Sequence, residues 1–139
     1  MAFRCRLPQC GQAGTGKSLS FVRPSRQLFA DGYMLDRSTL QWFFTNYLGD
    51  EIDADSASGD WRLSPIRASS LAGLPPIRMV TADHDPLTDD CEAFCSRVAR
   101  ENGSVDCWRA AGVVHGFFSL GRIFPEAEEA LAFLAASVV

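Results

Sequence analysis

The stretch IRMVTADHDPLTDDCEAFC, residues 77–95, passes from a largely apolar run through a Pro-containing turn into a helical period, and that passage decides the fold. Ile77 to Ala82 are too few for a helix and apolar enough for a buried strand. Beyond the turn, Cys91, Phe94, Cys95, Val98 and Ala99 recur three and four residues apart, which is one face of an α-helix. Asp89 and Glu92 stand where a capping box would start it, and Gly103 where it would stop. SVDCWRA, residues 104–110, alternates as a second strand, and GVVHGF, residues 112–117, is expected as the loop after it. Pro125 then opens a last helix whose first turn carries Glu126, Glu128 and Glu129, favourable at the positive end of the helix dipole. Strand, helix, strand, helix is a β-α-β order, so the strands should run parallel in an α/β fold. A parallel sheet needs both faces covered and more than two strands, so these residues are expected to form one edge of a larger, incomplete sheet.

Upstream, Leu40, Phe43, Phe44, Tyr47 and Leu48 repeat the helical spacing, with Asp36 to cap and Gly49 to stop. Residues 49–76 are acidic, Ser-rich and bounded by Pro, a long irregular connection. The chain of 139 residues is 47% hydrophobic and 22% charged, which suits one small domain. No apolar run approaches the roughly 18 residues of a membrane span. The first residues also lack the apolar core of a secretory signal, so a cytoplasmic protein is expected. Five cysteines without a C-x-x-C pair fit reduced thiols. Cys91 and Cys95, near His84 in sequence, are expected as small buried hydrophobes rather than ligands, and no metal or cofactor is expected.

Charge divides the chain. Residues 1–30 hold five basic side chains and no acid, whereas residues 31–139 hold 8 basic and 17 acidic ones. Five charges without interleaved aromatics, beside an acidic body, argue against nucleic acid. Twelve of the thirteen basic residues are Arg, a mark of GC-rich coding, and residues 1–23 are expected to be an atypical leader, disordered or misread, ahead of a domain at 24–139. Within the leader, GQAGTGKS (Gly11–Ser18) fits a phosphate-binding loop, with Gly16, Lys17 and Ser18 as the nucleotide contacts. No strand precedes it, and Pro24 would cut short the helix that should follow, so a Gly/Ser-rich segment is the favoured alternative to a nucleotide site.

In open parallel sheets ligands bind beyond the C-terminal ends of the strands. Asp85 follows the first strand and His115 the second, so neighbouring strands would bring a carboxylate to an imidazole. That is the acid and base of a nucleophilic triad; the plain alternatives are a helix-capping Asp and an ordinary loop His.

Together, ADGYMLDRSTLQWFFTNYLGD, LSPIRASSLAGLPP, TADHDPLTDDCEAF and VVHGFFSL resemble the hormone-sensitive-lipase-like branch of the α/β-hydrolases, from about Pro24 onward. The resemblance implies the C-terminal portion of that fold and a carboxylic ester hydrolase of the serine esterase or lipase type. Asp85 of the DPL motif would be the catalytic acid and His115 of the HGF motif the general base. Asp83 lies outside the matching position, and His84 replaces a usual aromatic residue. Trp42, Phe43, Phe44 and Phe117 would help to form the substrate pocket for a small ester, with core packing as the alternative. The family's G-D-S-A-G elbow and H-G-G oxyanion loop are not present. ADSASG (54–59) mimics the elbow around Ser56, but Ala54 and Ser58 stand where its glycines belong. An isolated chain without nucleophile is therefore expected to be inactive, a noncatalytic remnant or interaction module being the rival, with self-association through the exposed sheet edge.

Overall fold

The computed structural model describes residues 23–49 and 59–136. In chain order it contains α1 (Pro24–Leu28), α2 (Arg37–Leu48), a 3₁₀ turn (Pro65–Arg67), β1 (Ile77–His84) and α3 (Thr88–Arg100). β2 (Val105–Val114), a second 3₁₀ turn (Phe117–Leu120) and α4 (Glu126–Ala135) complete it. Among the described residues the two strands form one parallel sheet, the expected β-α-β unit with no further strand beside it. The Gly11–Ser18 motif, residues 1–22 of the expected leader and Ser56 lie outside the described residues. No described helix is long and apolar enough to cross a membrane.

The sheet alternates as a pleat demands. Val80, Ala82, Trp108 and Ala110 face α4 and the second 3₁₀ turn, in a core with Val113, Phe117, Ala127 and Ala130. Met79 faces α3, where its sulfur meets Cys95 Sγ at 3.5 Å. Thr81 Oγ1, on the same side as Met79, is buried without a hydrogen-bond partner among the described residues. α3 seals that face with Cys95 and Val98, which are 2% and 0% exposed. Cys91 is only half-buried, but desolvation foremost, then the nearby Asp85 and Asp90 charges, push its thiol up to about 11.

Four boundaries differ from expectation. β1 runs two residues past Ala82, and β2 continues to Val114, absorbing the first half of the expected 112–117 loop, because inter-strand pairing persists there. α3 begins at Thr88, so Asp89 lies inside its first turn rather than capping it. The Asp89 carboxylate instead accepts from the Ser25 N–H at 2.7 Å, and the neighbouring Asp90 carboxylate accepts from Arg26 Nε at 2.8 Å, which fastens α1 to the start of α3. At the other end the left-handed residue is Asn102 (φ 62°), not Gly103. The Gly103 N–H closes back on the Val98 carbonyl at 2.9 Å and that of Asn102 on Ala99 at 3.2 Å, a Schellman ending. Ala99, expected on the apolar face, is exposed.

α2 is capped as expected, Asp36 Oδ1 accepting from the Thr39 N–H at 2.7 Å, and Gly49 follows its last residue. Its apolar face is largely open: Leu40 is buried, but Trp42, Phe43 and Tyr47 are 61%, 54% and 75% exposed.

Candidate active site

Asp85 and His115 are the first residues beyond β1 and β2. The loop after β1 is short because Asp85 folds it: Oδ1 accepts from the Leu87 N–H at 2.8 Å, a turn that Pro86 stiffens. Thr88 Oγ1 donates to the Ala82 carbonyl at 2.6 Å, and Ser25 Oγ donates to the Pro86 carbonyl at 2.9 Å. The loop is thus tied to β1 on one side and to α1 on the other. After β2, Gly116 adopts φ 73°, a left-handed value that a side chain disfavours, and turns the chain into the 3₁₀ segment.

His115 Nδ1 lies 2.8 Å from Asp85 Oδ2. Facing an ionised carboxylate, which only accepts, Nδ1 would be the donor, and a neutral ring so arranged would carry its lone pair on Nε2. Nε2 has no hydrogen-bond partner among the described residues. The environments are unequal: the Asp85 side chain is 11% exposed and that of His115 is 41% exposed. A sheltered carboxylate behind a half-open imidazole is the arrangement that orients a general base. Asp85 does not cap α3, whose N-cap is Leu87 without a side-chain hydrogen bond; one of its oxygens folds the turn before the helix and the other meets His115.

The other expected site residues are not gathered here. Trp42 and Phe43 stack edge to face with each other, centroids 5.2 Å apart, on the open side of α2. Phe44 is half-buried on the same helix. Phe117, two residues from His115, is 2% exposed and belongs to the core, its ring against Phe118 at 4.6 Å. Its burial supports the HGF turn from the α4 side and gives it no free face for substrate. His84 stacks on Tyr33 at 5.7 Å and meets Phe29 edge to face at 5.6 Å, so this imidazole occupies an aromatic cluster. Among the described residues no group of three or more His, Cys, Asp and Glu could hold a metal ion. What sequence reasoning missed is the network around Asp83: Arg109 Nε donates to its carboxylate at 2.8 Å. The period-2 position of Arg109 on an expected strand, level with Thr81 and next to Asp83, was the available signal.

Two parallel strands joined by a crossover helix thus carry a carboxylate and an imidazole in contact at their C-terminal ends. Residues 12–119 match the α/β hydrolase fold family, and the chain belongs to that family, in its hormone-sensitive-lipase-like branch of carboxylic ester hydrolases and esterases, as a C-terminal part. Among curated relatives it is 38% identical over 99 residues to the carboxylic ester hydrolase LipN of Mycobacterium tuberculosis, covering 71% of this chain and 26% of LipN. It is 35% identical over 109 residues to the ethyl acetate hydrolase of Pseudomonas putida, covering 78% of this chain and 33% of that enzyme. Among solved structures, a thermostable esterase from Pseudomonas putida superposes with a TM-score of 0.71 at 34% identity, over 80% of this chain and 35% of the esterase. The thermophilic carboxylesterase EstE1 superposes at 0.72 with 30% identity, over 84% and 38%. The chain thus spans about a third or less of these two curated relatives.

Proposed function

We propose that this chain supplies the acid and base of a serine ester hydrolase, while the nucleophilic Ser and the oxyanion donors come from outside these 139 residues. The single observation that carries the proposal is the 2.8 Å contact between Asp85 Oδ2 and His115 Nδ1 at the C-terminal ends of adjacent strands. In this scheme His115 Nε2 removes the proton of the Ser hydroxyl as its oxygen attacks the ester carbonyl. Asp85 stabilises the imidazolium, and Nε2 returns the proton to the departing alcohol. Water then attacks the acyl-enzyme carbonyl, giving its proton to the same Nε2, which passes it to the departing Ser oxygen as the carboxylic acid leaves. The substrate class is a small carboxylic ester, supported by the activities for which the relatives are named. Alone, the chain is inactive, and its open strand edges associate with the completing segment or with a second copy.

The test grafts residues 24–139 in place of the matching part of the Pseudomonas putida ethyl acetate hydrolase, which contributes its own Ser and oxyanion loop. Turnover of a short-chain nitrophenyl ester is expected. His115→Ala should abolish nearly all of it. Asp85→Asn should lower kcat by a factor on the order of 10⁴, as in a Ser-His-Asp protease, because it favours the wrong tautomer. A folded graft without turnover would establish the noncatalytic alternative.

A further inference from the structure

We propose that Asp83 is a positioning residue: with Arg109 it holds the irregular stretch of β2 that brings His115 level with Asp85. This rests on the acid and base reading above.

The register shows why such a device is needed. Six consecutive pairs, from Ile77 with Val105 to Ala82 with Ala110, keep one spacing; the next pair is His84 with Val114. Ala111, Gly112 and Val113 therefore stand opposite Asp83 alone. Continued at the first spacing, the ladder would set Val113 opposite Asp85. The two additional residues set His115 there instead. The bulge is thus what places an imidazole beside the carboxylate, and a bulge re-aims side chains at a local cost in pairing.

Asp83 touches both limbs of that bulge. Its Oδ2 accepts from the Gly112 N–H at 3.4 Å, a donor that the broken ladder would otherwise leave open. Oδ1 accepts from Arg109 Nε at 2.8 Å, and Arg109 Nη2 donates to the Asp83 carbonyl at 3.3 Å. Arg109 Nη1 reaches Glu92 Oε1 on α3 at 3.4 Å. Gly112 itself has φ 72°, a conformation that the bulge needs and that a side chain resists. The Asp83 and Arg109 side chains are 37% and 41% exposed, so the pair contributes little to global stability. Its value is geometric: an acceptor fixed on β1 that holds the β2 loop at one height.

The experiment reads the tautomer of His115 by ¹⁵N NMR of ¹⁵N-histidine-labelled chain, sedimented so that self-association does no harm. With two histidines in the chain, His84→Gln assigns the spectrum. At a pH well above the ordinary imidazole value of about 6.5, the unaltered chain should show His115 mainly protonated on Nδ1. Asp83→Ala should turn that majority into a minority, and Asp83→Asn, which keeps an acceptor for Gly112, should cause a smaller loss. An unchanged tautomer in both variants overturns the positioning role. If Asp83→Ala fails to fold, Asp83→Asn and Arg109→Gln decide in its place, and no change in either overturns the proposal. Asp85→Asn is the control for the underlying pair. If the unaltered chain is mainly protonated on Nε2 and Asp85→Asn changes nothing, the pair itself is refuted, an outcome distinct from a sensitive Asp85 with an indifferent Asp83.

Discussion

Helices α2 and α3 share the same apolar period, yet one lies open and the other is sealed. α3 lowers Cys95 and Val98 onto the sheet until they are 2% and 0% exposed. α2 keeps Leu40 inside and leaves Trp42, Phe43 and Tyr47 more than half exposed. The difference lies in the chain on either side of each helix. α3 sits between two strands that pair, so the crossover lays it on their shared face. α2 leads into a long connection and has no strand of its own beside it among the described residues. An apolar face specifies that something must cover it; the neighbouring chain specifies what.

The strongest way to break the comparison is to loosen the sealed helix. Val98→Ala should destabilise the chain by about 2 kcal/mol, from lost methyl burial and the cavity left behind. Gly103→Ala should cost about 1–2 kcal/mol by overpacking, because an added Cβ would stand 2.5 Å from Val98 Cγ1 and 3.1 Å from the Val98 carbonyl oxygen. The two are in contact, so urea unfolding of the double variant should show less than the sum: Val98→Ala removes the methyl that Gly103→Ala strikes. Additive costs would mean that the clash is not the cause.

Thr81→Val sharpens the comparison with the opposite sign. It exchanges a buried hydroxyl that lacks a partner for a methyl of similar size, and stability should rise by about 1 kcal/mol in the same unfolding assay. A loss would reveal a partner for the hydroxyl.

The sealed side also has a pH dependence. The Glu101 carboxyl is held below its ordinary value of 4.5, first by the Leu71 backbone N–H and next by Arg97. A depressed carboxyl stabilises above that ordinary value and loses its contribution as pH falls through the lower folded value. Arg97 also donates to the Ile66 and Ala68 carbonyls. Amide protection factors of residues 66–71, which allow for the slower intrinsic exchange in acid, should therefore fall below about pH 4.5, sooner than those within α3. Glu101→Gln should bring much of that loss of protection to neutral pH.

The smallest effect belongs to the open helix. Phe43→Ser should change stability by no more than about 0.5 kcal/mol, as for other exposed positions, while lowering any association measured by sedimentation. A loss comparable to that of Val98→Ala would mean that this face is covered in solution.

Sequence alone determined the local elements whose cause is local. The α2 cap at Asp36, the helical period of α3, the two strands and their parallel sense follow from side-chain size, spacing and the handedness of crossovers. The DPL and HGF motifs likewise marked Asp85 and His115, because their places at strand ends are set by chain order. Tertiary structure decided what depends on residues distant in sequence. In sequence Asp89 reads as part of a cap, but its carboxylate accepts from the N–H of Ser25, 64 residues away. Phe117 reads equally as pocket or core until Ala127 and Ala130 close over it. The bulge at Gly112 is invisible in a pattern of alternation, since it arises where one strand must carry more residues than its partner. That mismatch in length, which a linear sequence does not display, sets His115 against Asp85.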